Sequence, residues 1–143
     1  MFNPSRDQAR LFFIEAWQKH SDGQVLTPAE TIAAGWIGQH PEFHALLSDR
    51  DRALSADYSP EAGQTNPFLH LSMHLAVSEQ LSIDHPPGIR AAFTHLAQKL
   101  DDEHRAAHHV FECLAEQIWQ QQRNGISFSS ERYLASIQSI MKT

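Results

Sequence analysis

Asn66-Pro67-Phe68-Leu69-His70-Leu71-Ser72-Met73-His74-Leu75-Ala76-Val77-Ser78-Glu79-Gln80-Leu81-Ser82-Ile83 is the stretch that decides the fold. Asn66 ahead of Pro67 reads as a helix cap followed by a proline at the first helical position, where its missing N–H removes no intrahelical bond. Beyond it Phe68, Leu69, Leu71, Met73, Leu75, Ala76, Val77 and Leu81 place apolar side chains almost all the way round the helix. Such a helix belongs in the middle of a bundle rather than on its surface. Asp84-His85-Pro86-Pro87-Gly88 breaks it.

Reading outward from this element, the same helical punctuation recurs. Pro4 stands at the mouth of a helix over about 5–19, ended by His20-Ser21-Asp22-Gly23. Thr27-Pro28-Ala29-Glu30 is a cap, a first-position proline and an early acid, and it opens a short helix to about Gly38. Gly35 and Gly38 read as helix-packing glycines. His40-Pro41 restarts the chain as a helix through Leu47. The polar stretch 48–65, with Tyr58-Ser59-Pro60 and Gly63, reads as a surface loop with room for a short turn.

On the C-terminal side, Ile89, Ala92, Phe93, Leu96 and Leu100 repeat at helical period. Asp101-Asp102 caps the next helix, which stops at Asn124-Gly125. Ser129 or Ser130 caps a last one carrying Tyr133, Leu134, Ile137 and Ile140. Alternating β-branched runs and hairpin signals are missing. The expectation is an all-α single domain, a bundle of six or seven helices with its core over about 5–123 and a peripheral helix over about 129–141.

Composition narrows the class. At 143 residues and 41% hydrophobic, the chain has the size of one domain and enough apolar surface for a core without staples. The lone Cys113 excludes an intramolecular disulfide. With a charged N-terminus, MFNPSRDQAR, in place of a signal sequence, it points to a reducing cytoplasm. No run approaches the roughly 18–20 apolar residues of a membrane span. Net charge is −6 with no basic stripe, which argues against direct nucleic-acid binding.

Six of the ten histidines fall into three pairs of one spacing: His40/His44, His70/His74 and His104/His108, with Glu112 a turn beyond the last. On a helix, i and i+4 share a face, roughly 5–6 Å apart at Cβ. Two imidazoles so placed can converge on one cation at about 2.0–2.1 Å from each nitrogen. At about 100° per residue, His70 and His74 lie beside Val77 and Leu81, with Glu79 opposite. His104 and His108 align with Phe111, Ala115, Ile118 and Trp119, with Glu112 at the margin. Both pairs are therefore expected to face inward and to meet across two packed helices. His40/His44 is the least regular pair, because Pro41 puts His40 at the helix start. His20, His85, His95 and His109 sit in loops or on polar faces.

A lone inward histidine reads most simply as a hydrogen-bonded core residue. Three pairs on different helices read as a metal site, since buried imidazole nitrogens without partners cost roughly 1–3 kcal/mol each. The candidate ligands are His40, His44, His70, His74, His104, His108 and Glu112. Neither the Glu-x-x-His motif of ferritin-like di-iron bundles nor the His-Glu-x-x-His of zincins occurs, and one cysteine cannot build a thiolate zinc site. What is left is an imidazole-rich mono- or dinuclear site for iron or zinc, with Glu112 as a candidate bridge.

The segment Asn66-Pro-Phe-Leu-His-Leu-Ser-Met-His74, with Glu79-Gln80, Asp84 and Pro87-Gly-Ile-Arg90, resembles the signature of the bacterial domain-of-unknown-function family numbered 1841. Phe12-Phe13-Ile-Glu-Ala-Trp17, His40-Pro-Glu-Phe-His44-Ala-Leu-Leu47 and Glu112-Cys-Leu114 are similar as well. The resemblance spans nearly the whole chain and implies a small cytoplasmic bacterial protein; it supplies neither activity nor ligands. Three functions stay open on the sequence: a metal-binding protein for redox, gas-binding or metal handling; a metal-dependent hydrolase or oxidoreductase; and a non-catalytic interaction module with a buried histidine cluster and no metal.

Overall fold

A computed structural model describes residues 4–58 and 66–140. Among these the chain forms eight α-helices and one 3-10 turn, with no strand. The helices are α1 (Pro4–Ser21), α2 (Pro28–Gly38), α3 (His44–Leu47), α4 (Arg50–Ser55), α5 (Pro67–Ile83), α6 (Ile89–Leu100), α7 (Glu103–Asn124) and α8 (Ser130–Ile140). The protein is all-α, as its punctuation implies. The expected count of six or seven is exceeded by small pieces. The segment expected as one helix from His40 to Leu47 is a 3-10 turn (Pro41–Phe43) followed by the single turn α3, and part of the polar loop winds into α4. Ser59, Pro60 and Gly63 of that loop lie outside the described residues.

The caps work as their chemistry requires. Thr27 and Glu30 form a complete capping box: the Glu30 N–H donates to Thr27 Oγ1 at 3.2 Å, and the Thr27 N–H donates to Glu30 Oε1 at 2.9 Å. Two donors at the open end of α2 are satisfied reciprocally. Asn66 Oδ1 accepts from the N–H groups of Phe68 and Leu69 at the start of α5. Asp49, Asp102 and Ser129 do the same for α4, α7 and α8.

The chain divides into two compact units, one up to Leu75 and one from Ala76 onward. In the first, α1 packs against α2, α3 and α4. Its core joins Phe13, Ile14, Ala16, Ala33, Ile37, Phe43, Leu46, Leu47, Ala53, Phe68 and Leu71. Arg10 is buried at its edge and donates to the carbonyls of Ala53, Leu54 and Ala56, so that it closes the C-terminal end of α4. Its guanidinium also lies over the rings of Phe68 and Tyr58.

In the second unit α6, α7 and α8 pack pairwise. Asp84 and Arg90 frame the break after α5. The Asp84 carboxylate accepts from the N–H groups of Arg90 and Gly88, while the Arg90 side chain donates to the carbonyls of Leu81 and Ser82. This part of the signature thus stitches the end of α5 to the start of α6. The last helix, read as peripheral, buries Tyr133 and Ile137 completely, and Tyr133 donates to Gln80 Oε1 at 2.7 Å.

Two expectations of burial are corrected. On α7 the buried stripe is Ala106, Ala107, Val110, Leu114 and Gln117, whereas Trp119 is 49% exposed. The small side chains of Ala106 and Ala107 can let a neighbouring helix approach closely, and that face wins over the one carrying the larger rings. Gly35 and Gly38 do not pack: a Cβ added at either meets nothing within 4 Å. On α5, Phe68, Leu71, Met73, His74 and Val77 are buried, and its exposed large apolar side chains are Leu69 and Ile83 near its two ends. No helix among the described residues is long and apolar enough to cross a membrane.

Candidate metal centre

Three imidazoles meet in the first unit, delivered by two pieces of chain. His40 sits where α2 has ended and the 3-10 turn begins, with φ −126° and ψ 71° and no capping bond from its side chain. Its Nδ1 stands 2.7 Å from the carbonyl oxygen of Trp36. A carbonyl only accepts, so Nδ1 carries the proton and Nε2 presents a lone pair. His70 and His74, one turn apart on α5, come from the other side.

His70 Nε2 lies 3.1 Å from His40 Nε2 and 3.1 Å from His74 Nε2. The ring centroids form a near-equilateral triangle of 4.8, 4.8 and 5.1 Å. His40 and His74 are buried at 3% and 0% exposure.

Within the trio, two-centre hydrogen bonds serve one of the two contacts of His70 at a time. An imidazole nitrogen offers in its ring plane either one N–H or one lone pair. If His70 Nε2 donates to the lone pair of His40, it has no lone pair left to accept from His74. A cation at the meeting point takes all three lone pairs at once. The spacing fits: nitrogens bound at about 2.0–2.1 Å to a common tetrahedral or octahedral ion are about 2.9–3.4 Å apart. The Nδ1–H to backbone carbonyl bond of His40 is the outer contact that orients a ligating imidazole and fixes its tautomer.

Aromatic rings wall the trio. Trp36 stacks on His74 at 4.0 Å and 12°, while Phe43 lies parallel to His40 at 5.4 Å and edge-on to His70 at 5.6 Å. Nothing in the histidine spacing points to Trp36 or Phe43. The one available signal is that Trp36 precedes His40 by four residues, which sets its carbonyl below that ring.

In the second unit His104 and His108 stack on α7 with centroids 4.5 Å apart. Each offers a ring nitrogen within 4.8 Å of the other's, and both are half-buried. Glu112, expected near them, has a side chain 73% exposed, with its carboxylate 4.0 Å from Nδ1 of His109. His44 goes elsewhere too. Its Nε2 is 2.7 Å from the carbonyl of Ile37, and its ring stacks on Trp17 at 4.4 Å. The cause is local: Pro41 starts a 3-10 turn, so His40 and His44 are not successive positions on one α-helical face. Burial and the neighbouring Glu112 push the Cys113 thiol up to about 11.

Fold and cluster together define an all-α protein with a buried group of histidines that could hold a metal ion. The chain belongs to the family described as a domain of unknown function, DUF1841, whose model matches residues 5–139. No curated protein and no solved structure gives a match.

Proposed function

We propose that this protein is a transition-metal protein whose ion is held by Nε2 of His40, His70 and His74. The observation that supports this reading most is His70 Nε2 at 3.1 Å from two other imidazole nitrogens, the spacing of donors around one ion. Imidazole donors suit iron and zinc, and the centre serves redox chemistry, small-ligand binding or metal handling. His44 and Glu112 are left outside it, the first engaged with Ile37 and the second exposed. A lone, half-buried thiol agrees with work in a reducing cytoplasm.

Elemental analysis tests the reading on protein made without a histidine tag. The expected result is about one or two ions of iron or zinc per chain, lost in His70→Ala and His74→Ala and retained in His109→Ala. Ion content near zero after supplementation with both metals overturns it and leaves a metal-free histidine cluster.

A further inference from the structure

We propose that a cleft in the first unit binds a small carboxylate with an apolar body, of the class of an aryl-substituted alkanoate. None of His40, His70 and His74 lines it, so the proposal does not depend on the metal reading. The cleft has a volume of about 340 Å³ and lies between α1 and the junction of α3 with α4, a size within the roughly 300–1,000 Å³ of small-molecule sites. Ile14 and Leu47, both buried, and the half-buried Trp17 supply its apolar surface. The indole is a preformed wall, because the ring of His44 stacks on it at 4.4 Å and that of His20 at 5.2 Å.

Charge selects the ligand. Gln18, Ser21, Ser48 and Arg50 complete the lining, so among the described residues one cation and three neutral polar groups border the cleft and no acid does. Glu15 approaches the Arg50 guanidinium from outside the lining, at 3.9 Å, which is beyond hydrogen-bond distance. A guanidinium presents its N–H donors in a fork that matches a carboxylate. A carboxylate on Arg50 with its apolar body against Trp17, Ile14 and Leu47 uses both kinds of surface. A cation is repelled by Arg50, and a neutral ligand of the same shape gains only the apolar contacts.

The probe is 3-phenylpropionate, titrated into the full-length protein and followed by proton–nitrogen NMR, with 3-phenylpropanol as the uncharged partner of the same body. The expected result is saturable movement of the Trp17 indole N–H and Gln18 side-chain amide resonances, with the alcohol about fivefold weaker or worse. Arg50→Gln removes an exposed cation without touching the apolar surface, so it should weaken the acid about fivefold and leave the alcohol unchanged. Arg52→Gln makes the same change of charge outside the lining and should leave both unchanged. The proposal is overturned if the acid moves no resonance saturably, if acid and alcohol bind alike, or if Arg50→Gln and Arg52→Gln weaken the acid equally. Shifts gathered at His70 and His74 instead of Trp17 also overturn it, because the acid would then be ligating an ion; in none of these outcomes does the metal reading fall with the cleft.

Discussion

His74 and His109 make the sharpest comparison at the scale of single residues. Both are histidines on helices, but His74 is fully buried in the trio and the His109 side chain is 30% exposed beside Glu112. His74→Ala should cost about 2–4 kcal/mol in metal-free protein through the cavity alone, and more in metal-loaded protein because a ligand is lost. His109→Ala should stay within about 0.5 kcal/mol. Urea unfolding with and without metal measures both; equal costs in the two variants would remove the metal interpretation. Arg10 gives a second test that has nothing to do with metal. Its three bonds to carbonyls end α4, so Arg10→Met should destabilise by about 2–4 kcal/mol, read as a lower urea midpoint.

Helices in this chain begin where a polar side chain can receive backbone N–H groups, and the box at the start of α2 is the most complete case. Thr27→Ala should cost about 1 kcal/mol, seen in thermal or urea unfolding. The Glu30 carboxyl is held below its ordinary range, first by the Thr27 N–H and then by the Lys19 ammonium at 2.9 Å; Lys19 is raised in turn by its hydrogen bond to Glu30. A depressed acid contributes stability above the ordinary carboxylate range and loses it as pH falls through its folded value. A raised lysine contributes below the ordinary lysine range and loses it as pH rises through its folded value. The stability gap between the wild-type protein and Glu30→Gln should therefore be widest between those two ranges and close in acid. A gap that stays constant with pH would show that the charge of Glu30 contributes nothing.

The proposed ion would couple metal binding to folding, because an ion that binds only the folded chain stabilises it by mass action. At about a thousandfold excess over the dissociation constant this amounts to about 4 kcal/mol. Chelation should lower the melting temperature by several degrees in calorimetry, and acid should do the same by protonating the lone pairs that the ion needs. Identical melting of chelated and metal-supplemented protein would contradict the coupling.

Local chemistry determined which segments are helical. Prolines at first helical positions, acids and hydroxyls at caps, and the apolar surface of α5 act within a turn or two, so they can be read along the chain without knowing what lies beside it. The same locality made His70 and His74 legible as a pair on one helical face. Tertiary structure alone decided that His40 joins them, because a residue between α2 and a 3-10 turn has no helical face and its direction is set by the Trp36 carbonyl. It also turned His44 onto Trp17, left Glu112 in solvent and chose Ala106, Val110 and Leu114 as the buried face of α7. Spacing constrains neighbours on one helix; which faces are buried and which imidazoles meet depend on packing partners far along the chain, and no local pattern carries that information.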